Sequence, residues 1–420
     1  MALVRSLSPG LGNWVDGDRF FNRDKELALF TEHLANGESI SLVAQRRIGK
    51  TSLMREASRR LGDKAISIHV DLEKSETSED ALVELALAIR PQAGLWNRAI
   101  EIISGMAKGA VERFENVKLY ELSVSLRSDV SAKDWRQKGD AMFAALAQVA
   151  EQQNKVVIIF FDEVPILVSR LLKGGDGTIT PERRTQTDIF MSWLRDNALR
   201  HRGKVAVVVT GSVGLEPLLG QAGLNGTLNA YRSFELKPWP PATATKCLLA
   251  LAMNHGLPLS EAAASRMIER LGSPIPHHVQ MYYDHVRTAY VVGEHDGDIT
   301  VEFVDTVYQE TMTGLRGHPE LRHMEERLRL VLTDDQFTIA LELLTEAAVA
   351  GRLGAATSLK ICTSAGAKDP RRTMNDIIAI LLHDGYLIES GPEYSFASLL
   401  LKDWWQRRFG QGYQVVGAVG

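Results

Sequence analysis

One short segment of the chain has the residue types that bind phosphate. It lies between an apolar stretch at Ser39–Val43 and a helical pattern at Thr51–Leu61, and it reads Ala44-Gln45-Arg46-Arg47-Ile48-Gly49-Lys50-Thr51-Ser52. The backbone amides of a tight loop and of a helix N-terminus converge on anions, and the helix dipole adds to the attraction. Gly49 has no Cβ, so a phosphate group can approach the main chain closely. We therefore predict that this segment, the phosphate loop, binds a nucleotide.

The two residues after Gly49 predict the chemistry of the phosphate loop. Lys50 would place its ammonium on the β- and γ-phosphates of ATP, and the Thr51 hydroxyl would ligate Mg²⁺. The first position of the usual glycine pattern is Ala44, whose Cβ disfavours left-handed backbone angles. The alternative is a chance Gly-Lys-Thr tripeptide at a helix start. The preceding strand and the acidic pair described next argue against that alternative.

A second chemical signal is an apolar strand that ends in two carboxylates, Asp162 and Glu163. The strand, Val156–Phe161, is a continuous apolar run, as expected for a strand covered on both faces. Folds of the α/β class place their chemistry at the carboxyl ends of central strands. Asp162 would hold Mg²⁺ through water, and Glu163 would orient the attacking water for phosphoryl transfer. The alternative is a strand that simply ends in solvated acids.

The next apolar strand, Val205–Val209, ends in Thr210-Gly211-Ser212. A small hydroxyl at this point can lie beside the γ-phosphate and report its presence. Ser212, or else Thr210, is therefore a candidate sensor. A helix cap for Val213–Leu219 is an equally good interpretation of the same residues.

Alternating strands and helical patterns must position these residues. Together with the strands above, the alternating apolar residues of 66–72 and the stretch 231–236 predict an α/β fold of the three-layer, parallel-sheet P-loop NTPase type. The segment 92–130 interrupts the alternation. We predict that it is an insertion with one strand of its own, from the spacing of Val117, Leu119, Leu122, Val124 and Leu126.

A proline-rich segment divides the chain. Lys237-Pro238-Trp239-Pro240-Pro241 cannot continue a sheet or a helix interior, so it is a natural hinge. Beyond it, four helical patterns predict a lid, and three further helices followed by a hairpin have the order of a winged helix. The predicted domains are an ATPase core at 1–237, a helical lid at 238–318, a winged helix at 319–410 and a tail at 411–420.

Composition excludes several classes of protein. The 420 residues include 48 basic and 52 acidic side chains, and 45% are hydrophobic, which excludes a disordered chain. The net charge of −4 argues against a chain coated in nucleic acid. Two cysteines cannot form a disulfide framework, and no apolar run is long enough for a membrane helix or a signal core. These features predict a cytoplasmic protein.

Several of these motifs resemble those of a known group of ATPases. The segment Phe20-Phe21-Asn22-Arg23-Asp24-Lys25-Glu26-Leu27 resembles the box that precedes the phosphate loop in AAA+ and STAND ATPases. The run from Arg46 to Leu53 is similar to the phosphate loop of the archaeal-type ATPase clade. In the same clade, Gly272–His277 resembles the lid motif and Leu400–Trp405 resembles the end of the winged helix. The resemblance implies a nucleotide-driven switch with cofactors ATP and Mg²⁺. It also implies an adenine site near Phe21 and Arg23, with the lid around Pro276.

Three functions fit these observations. The first is a STAND-like switch with slow ATP hydrolysis, which would act on a protein partner and could form a nucleotide-dependent oligomer. The second is a DNA-binding AAA+ ATPase that resembles replication initiators, suggested by Arg371 and Arg372 in the predicted winged helix. Residues 320–408 contain 11 basic and 13 acidic side chains, a poor balance for phosphate neutralisation. The third is a nucleotide-stabilised scaffold with little hydrolysis, suggested by Ala44.

Overall fold

The chain divides into two compact units in the computed structural model, which describes residues 7, 10, 14–105, 119–314 and 319–418. The α/β unit comprises Asp24–Val43 and Ala57–Glu235. The composite unit comprises Met1–Arg23, Ala44–Glu56 and Leu236–Gly420. The chain passes from one unit to the other within the first strand and within the helix that follows it.

Helices and strands alternate through the first part of the chain. In chain order they are α1 (Asp24–Ala35), β1 (Ile40–Ala44), α2 (Lys50–Leu61), β2 (Ala65–Asp71), α3 (Ser78–Ile89), α4 (Ala93–Ser104), α5 (Leu119–Asp129), α6 (Trp135–Gln153), β3 (Val156–Asp162), α7 (Val164–Lys173), α8 (Pro181–Arg200), β4 (Val205–Thr210), α9 (Leu215–Gln221) and β5 (Arg232–Leu236).

The five strands form one sheet in the order β2-β3-β4-β1-β5. Strands β2 with β3, β3 with β4 and β4 with β1 pair in parallel, with Val157 opposite Val205 and Leu42 opposite Thr210. The inner strands β3 and β4 are buried along almost their whole length, which explains their unbroken apolar sequences. Strand β2 lies at an edge and alternates between buried and half-buried residues. The predicted α/β fold is confirmed.

The prediction of a strand between Val117 and Leu126 is wrong. Residues 119–129 form helix α5, while Val117 lies outside the described residues. Leu122 and Leu126 are fully buried, and their spacing of four residues puts them on one helical face. Val124, between them, is 53% exposed. The near-alternation of apolar residues in this segment therefore arose by chance, and the segment is a helix.

The second part of the chain is mainly helical. Its elements are α10 (Pro241–Asn254), α11 (Glu261–Leu271), α12 (Pro276–Val292), α13 (Val301–Val307), α14 (Pro319–Val331), α15 (Asp334–Ala350), β6 (Leu353–Gly354), α16 (Ala355–Ser364), α17 (Pro370–His383), β7 (Leu387–Ser390), β8 (Glu393–Phe396) and α18 (Leu399–Phe409). The three short strands form an antiparallel sheet in the order β6-β8-β7. We refer to α10–α13 as the lid helices and to α14–α18 with their sheet as the C-terminal module.

The predicted order of three helices and a hairpin is present, as α15, α16, α17 and the pair β7–β8. Helix α14 was not predicted, although Leu321 and Leu328 are fully buried at a seven-residue spacing typical of a helix face. Residues 315–318 of the predicted second linker lie outside the described residues. Across the described part of the chain, no helix is both long and apolar enough to cross a membrane.

Candidate nucleotide site

The phosphate loop has the backbone angles of a tight turn that opens a helix. Arg47 and Gly49 have positive φ angles, of 66° and 99°, and α2 begins directly afterwards at Lys50. The amide of Leu53 donates to the carbonyl of Gly49 at 2.9 Å, which closes the first helical turn. Ile48 is fully buried and anchors the turn. The loop therefore presents the N-terminus of a twelve-residue helix, the element that favours an anion.

The Lys50 side chain lies back over the same loop. Its ammonium donates to the carbonyl oxygens of Ala44, at 2.9 Å, and of Gln45, at 3.1 Å, and the residue is only 8% exposed. Ala44 is the last residue of β1 and is not among the described non-glycine residues with positive φ. Its Cβ therefore causes no left-handed strain at the position where the usual pattern has glycine.

Arg23 connects the phosphate loop to the proline-rich hinge segment. Its guanidinium donates to the carbonyl of Ile48 at 3.2 Å and to that of Lys237 at 2.9 Å, and the residue is buried. The ring of Phe21 packs edge-on against Trp239, with 5.6 Å between centroids. The resemblance implies an adenine site near Phe21 and Arg23, and in the structure Arg23 also binds the main chain of the loop and of the hinge.

The N-terminal segment is bound to the helix that follows the phosphate loop. The Val15 amide donates to the Ser52 hydroxyl at 3.0 Å, and the Gly17 amide donates to the Glu56 carboxylate at 2.9 Å. Glu56 is almost fully buried and is not among the predicted site residues. In the sequence, the only sign of this contact role for Glu56 was its position four residues after Ser52, on a helical face that also carries apolar residues.

The predicted catalytic carboxylate is in contact with the predicted sensor. The Oε2 atom of Glu163 accepts from the Ser212 amide at 3.0 Å and from the Ser212 hydroxyl at 2.6 Å. The Asp162 carboxylate accepts from the Glu163 amide at 3.0 Å. The backbone of Glu163 is left-handed, with φ 58° and ψ 30°, and α7 begins at the next residue. Sequence order alone gave no indication of the Ser212–Glu163 contact, which joins positions 49 residues apart.

Strand order brings three strand ends of the α/β unit together. Because β1, β4 and β3 are successive parallel neighbours, their carboxyl ends lie at one edge of the sheet. Strand β3 ends at Asp162 and β4 ends at Thr210. This is the edge at which folds of this class bind ligands.

Left-handed backbone is concentrated at predicted site residues. Six described non-glycine residues have positive φ, namely Asn22, Arg23, Arg47, Asn154, Glu163 and Glu294. Asn154 follows the end of α6, a common place for this conformation. Arg23, Arg47 and Glu163 are all residues to which the sequence assigned nucleotide chemistry. Strained backbone of this kind is frequent at functional sites.

The start of lid helix α12 carries the predicted Pro276 and, next to it, a histidine with a shifted pKa. Pro276 is buried and occupies the first turn, where its missing amide proton costs nothing. The pKa of His277 is lowered from 6.5 to about 4, because burial disfavours the imidazolium and because Arg47 and Arg46 repel its charge. His277 is therefore neutral at physiological pH.

This pKa predicts an acid-sensitive contribution to stability. Above pH 6.5 both the folded and the unfolded chain hold His277 neutral, whereas between pH 6.5 and about 4 the unfolded chain binds a proton that the folded chain does not. Stability should fall across that window, by up to about 1.4 kcal/mol per pH unit. We expect His277→Gln to reduce this slope in urea unfolding followed from pH 7 to pH 4. His323→Gln, at an exposed histidine on α14, is the control, and equal slopes in the two variants would contradict the prediction.

Comparison with known proteins adds evidence on the fold. No protein-family profile and no curated protein sequence matches the chain. Among solved structures, it is similar to a Walker-type ATPase of Pyrococcus abyssi, with 17% identity, a TM-score of 0.62 and coverage of 96% of this chain and 100% of that one. It is also similar to the ORC2 protein of Aeropyrum pernix in its ADPNP–ADP complexes, with 11% identity, a TM-score of 0.52 and coverage of 93% and 96%. At these identities the likeness concerns the fold, and the chain accordingly has the P-loop ATPase fold of these archaeal proteins, an α/β core followed by a helical C-terminal region.

Proposed function

We propose that this protein binds Mg·ATP, hydrolyses it slowly, and uses the bound nucleotide to control the position of its lid helices and of a winged-helix C-terminal module. The observation that carries the proposal is that residues of both regions lie against the phosphate loop. A change in the loop on nucleotide binding would therefore be transmitted to both.

The contact with the C-terminal module centres on Gly385, in the turn between α17 and β7. A Cβ at this glycine would lie 2.3 Å from the Cδ and Nε2 atoms of Gln45, so the Gln45 side chain would have to move to admit any other residue. Beside the contact is a cavity of about 10 Å³, enough for about one water molecule. It is lined by Gln45, Arg46, Arg47, Ile275, His278, Met324, Asp384 and Gly385.

The residues at the loop and at the strand ends fit a magnesium nucleotide chemically. Main-chain amides and Lys50 would bind the phosphates, and the Thr51 hydroxyl and the Asp162 carboxylate are the oxygen ligands that Mg²⁺ prefers. The ion would neutralise the charge that develops on the phosphoryl oxygens. Glu163 would orient the attacking water and accept its proton.

The Gly385 contact gives a direct test of the switch. We expect Gly385→Ala to reduce the difference between the melting temperatures measured with ADP and with a non-hydrolysable ATP analogue to less than about half of the wild-type difference. The new Cβ must displace the Gln45 side chain and so change the contact between the module and the loop. Thermal unfolding in each nucleotide measures the effect.

Gly391 supplies the matched control. It also has a positive φ, of 63°, but a Cβ there would meet nothing within 4 Å. Gly391→Ala therefore imposes the same kind of backbone strain without the contact. If both variants keep the same nucleotide-dependent difference, the Gly385 contact does not transmit nucleotide state.

Phosphate release tests the hydrolytic part of the proposal. Repeated turnover of ATP by the purified protein is the expected result. Stabilisation by ATP with no phosphate release would instead favour the scaffold function.

The observed charges do not favour DNA binding as the main function. Arg371 and Arg372 are exposed at the start of α17, but Arg372 faces Asp376 at 3.9 Å. At the hairpin, Glu393 pairs with Arg352 at 3.2 Å. These carboxylates offset cations that would otherwise neutralise DNA phosphates.

A further inference from the structure

The residues after strand β4 form a set of contacts that the predicted sensor role does not explain. Ser212 is buried, and both of its donors, the amide and the hydroxyl, are directed at one carboxylate oxygen of Glu163. The hydroxyl contact of 2.6 Å is in the range of a charge-assisted O–H···O⁻ bond, which is stronger than a neutral hydrogen bond. Two donors on one oxygen fix the orientation of the carboxylate.

The neighbouring residues support this contact. The Thr210 hydroxyl donates to the Leu42 carbonyl at 3.1 Å, a buried bond between β4 and β1. A Cβ at Gly211 would lie 2.3 Å from Cδ of Pro165, in the first turn of α7, and 3.4 Å from the Glu163 carboxylate. Glycine at 211 thus allows the end of β4 to approach the start of α7 closely enough for Ser212 to reach Glu163.

A hydroxyl group has a single proton to donate. While the Ser212 hydroxyl donates its proton in a hydrogen bond to Glu163, it cannot donate to a γ-phosphate oxygen. The Thr210 hydroxyl is likewise committed to a main-chain carbonyl inside the sheet. A phosphate sensor must donate a hydrogen bond to the γ-phosphate. In the segment Thr210-Gly211-Ser212, both hydroxyls donate to other acceptors instead.

We propose that Ser212 is a positioning residue that holds the Glu163 carboxylate in its working orientation, and that it does not read the γ-phosphate. This inference rests on the proposed ATPase function, in which Glu163 orients the attacking water. The two hydrogen bonds from Ser212 hold the Glu163 side chain in place. Ser212 acts on the chemistry only through Glu163.

The test compares Ser212→Ala with Ser212→Thr, which keeps the hydroxyl. We expect Ser212→Ala to lower kcat for Mg·ATP roughly tenfold, because a displaced base is less effective, and to leave KM within about twofold of wild type. The ratio of the Kd values for ADP and for a non-hydrolysable ATP analogue should be unchanged in calorimetry. Ser212→Thr should recover most of the wild-type kcat.

Thr227→Val is the control, since it also removes one buried hydroxyl from the α/β unit, at a position outside the predicted site. It should lower the melting temperature through loss of its hydrogen bond to the Leu224 carbonyl but keep the wild-type kcat. The proposal is overturned if Ser212→Ala leaves kcat unchanged, or if it weakens binding of the ATP analogue while sparing ADP, the signature of a phosphate sensor. Absence of turnover in the wild-type protein would be a different result, because it would refute the proposed ATPase activity itself.

Discussion

Replacing Lys50 by alanine is expected to raise the Kd for Mg·ATP by about 100-fold, the equivalent of one strong hydrogen bond to a charged group. The ammonium is mostly buried over the phosphate loop and holds two loop carbonyls, so it is already oriented at the helix N-terminus where phosphate would bind. Its loss would remove the only lysine of the loop. Isothermal calorimetry with Mg·ATP measures the change directly.

The control for this variant is Lys64→Ala. Lys64 is exposed and lies just before β2, so its removal changes the net charge by the same amount without touching the loop. Melting temperatures of both variants would confirm that each is folded. Equal affinities for Mg·ATP in the two variants would exclude Lys50 from phosphate binding.

Replacing Glu163 by glutamine is expected to retain nucleotide binding and to reduce kcat by at least about 100-fold, as is typical when a general base is removed. The amide keeps the shape of the side chain, and its oxygen can still accept the two hydrogen bonds from Ser212. It cannot accept a proton from water. Single-turnover measurement of phosphate release separates this effect from product release.

A matched substitution is Glu216→Gln, at an exposed position in the first turn of α9. It removes one negative charge from the same α/β unit and should leave kcat close to that of the wild type. Undiminished turnover in Glu163→Gln would show that another residue orients the water. Loss of nucleotide affinity would instead assign Glu163 a role in binding.

Much of the α/β architecture could be predicted because its signals are local. The apolar runs that became β3 and β4 are unbroken since both strands are inner strands of the sheet. The phosphate loop was recognisable because the strand, the glycine and the helix start must be consecutive in sequence. The same holds for the prolines that precede α10, where Pro241 starts the helix.

The features that could not be predicted depend on contacts between distant residues. The Ser212–Glu163 bond and the binding of Gly17 by Glu56 are set by how separate elements pack, and neither leaves a periodic trace in the sequence. Helix α5 was mistaken for a strand because its exposed Val124 happened to complete an alternating pattern. Short apolar patterns of this kind are ambiguous between helix and strand until their neighbours are known.

The left-handed conformation of Glu163 has a consequence for how this protein could change in evolution. A non-glycine residue in that conformation costs about 1–2 kcal/mol relative to glycine, so a Glu163→Gly substitution would relieve backbone strain. It would also delete the carboxylate. Selection for thermal robustness alone would thus favour glycine at this position, whereas selection for the proposed catalytic role would favour glutamate.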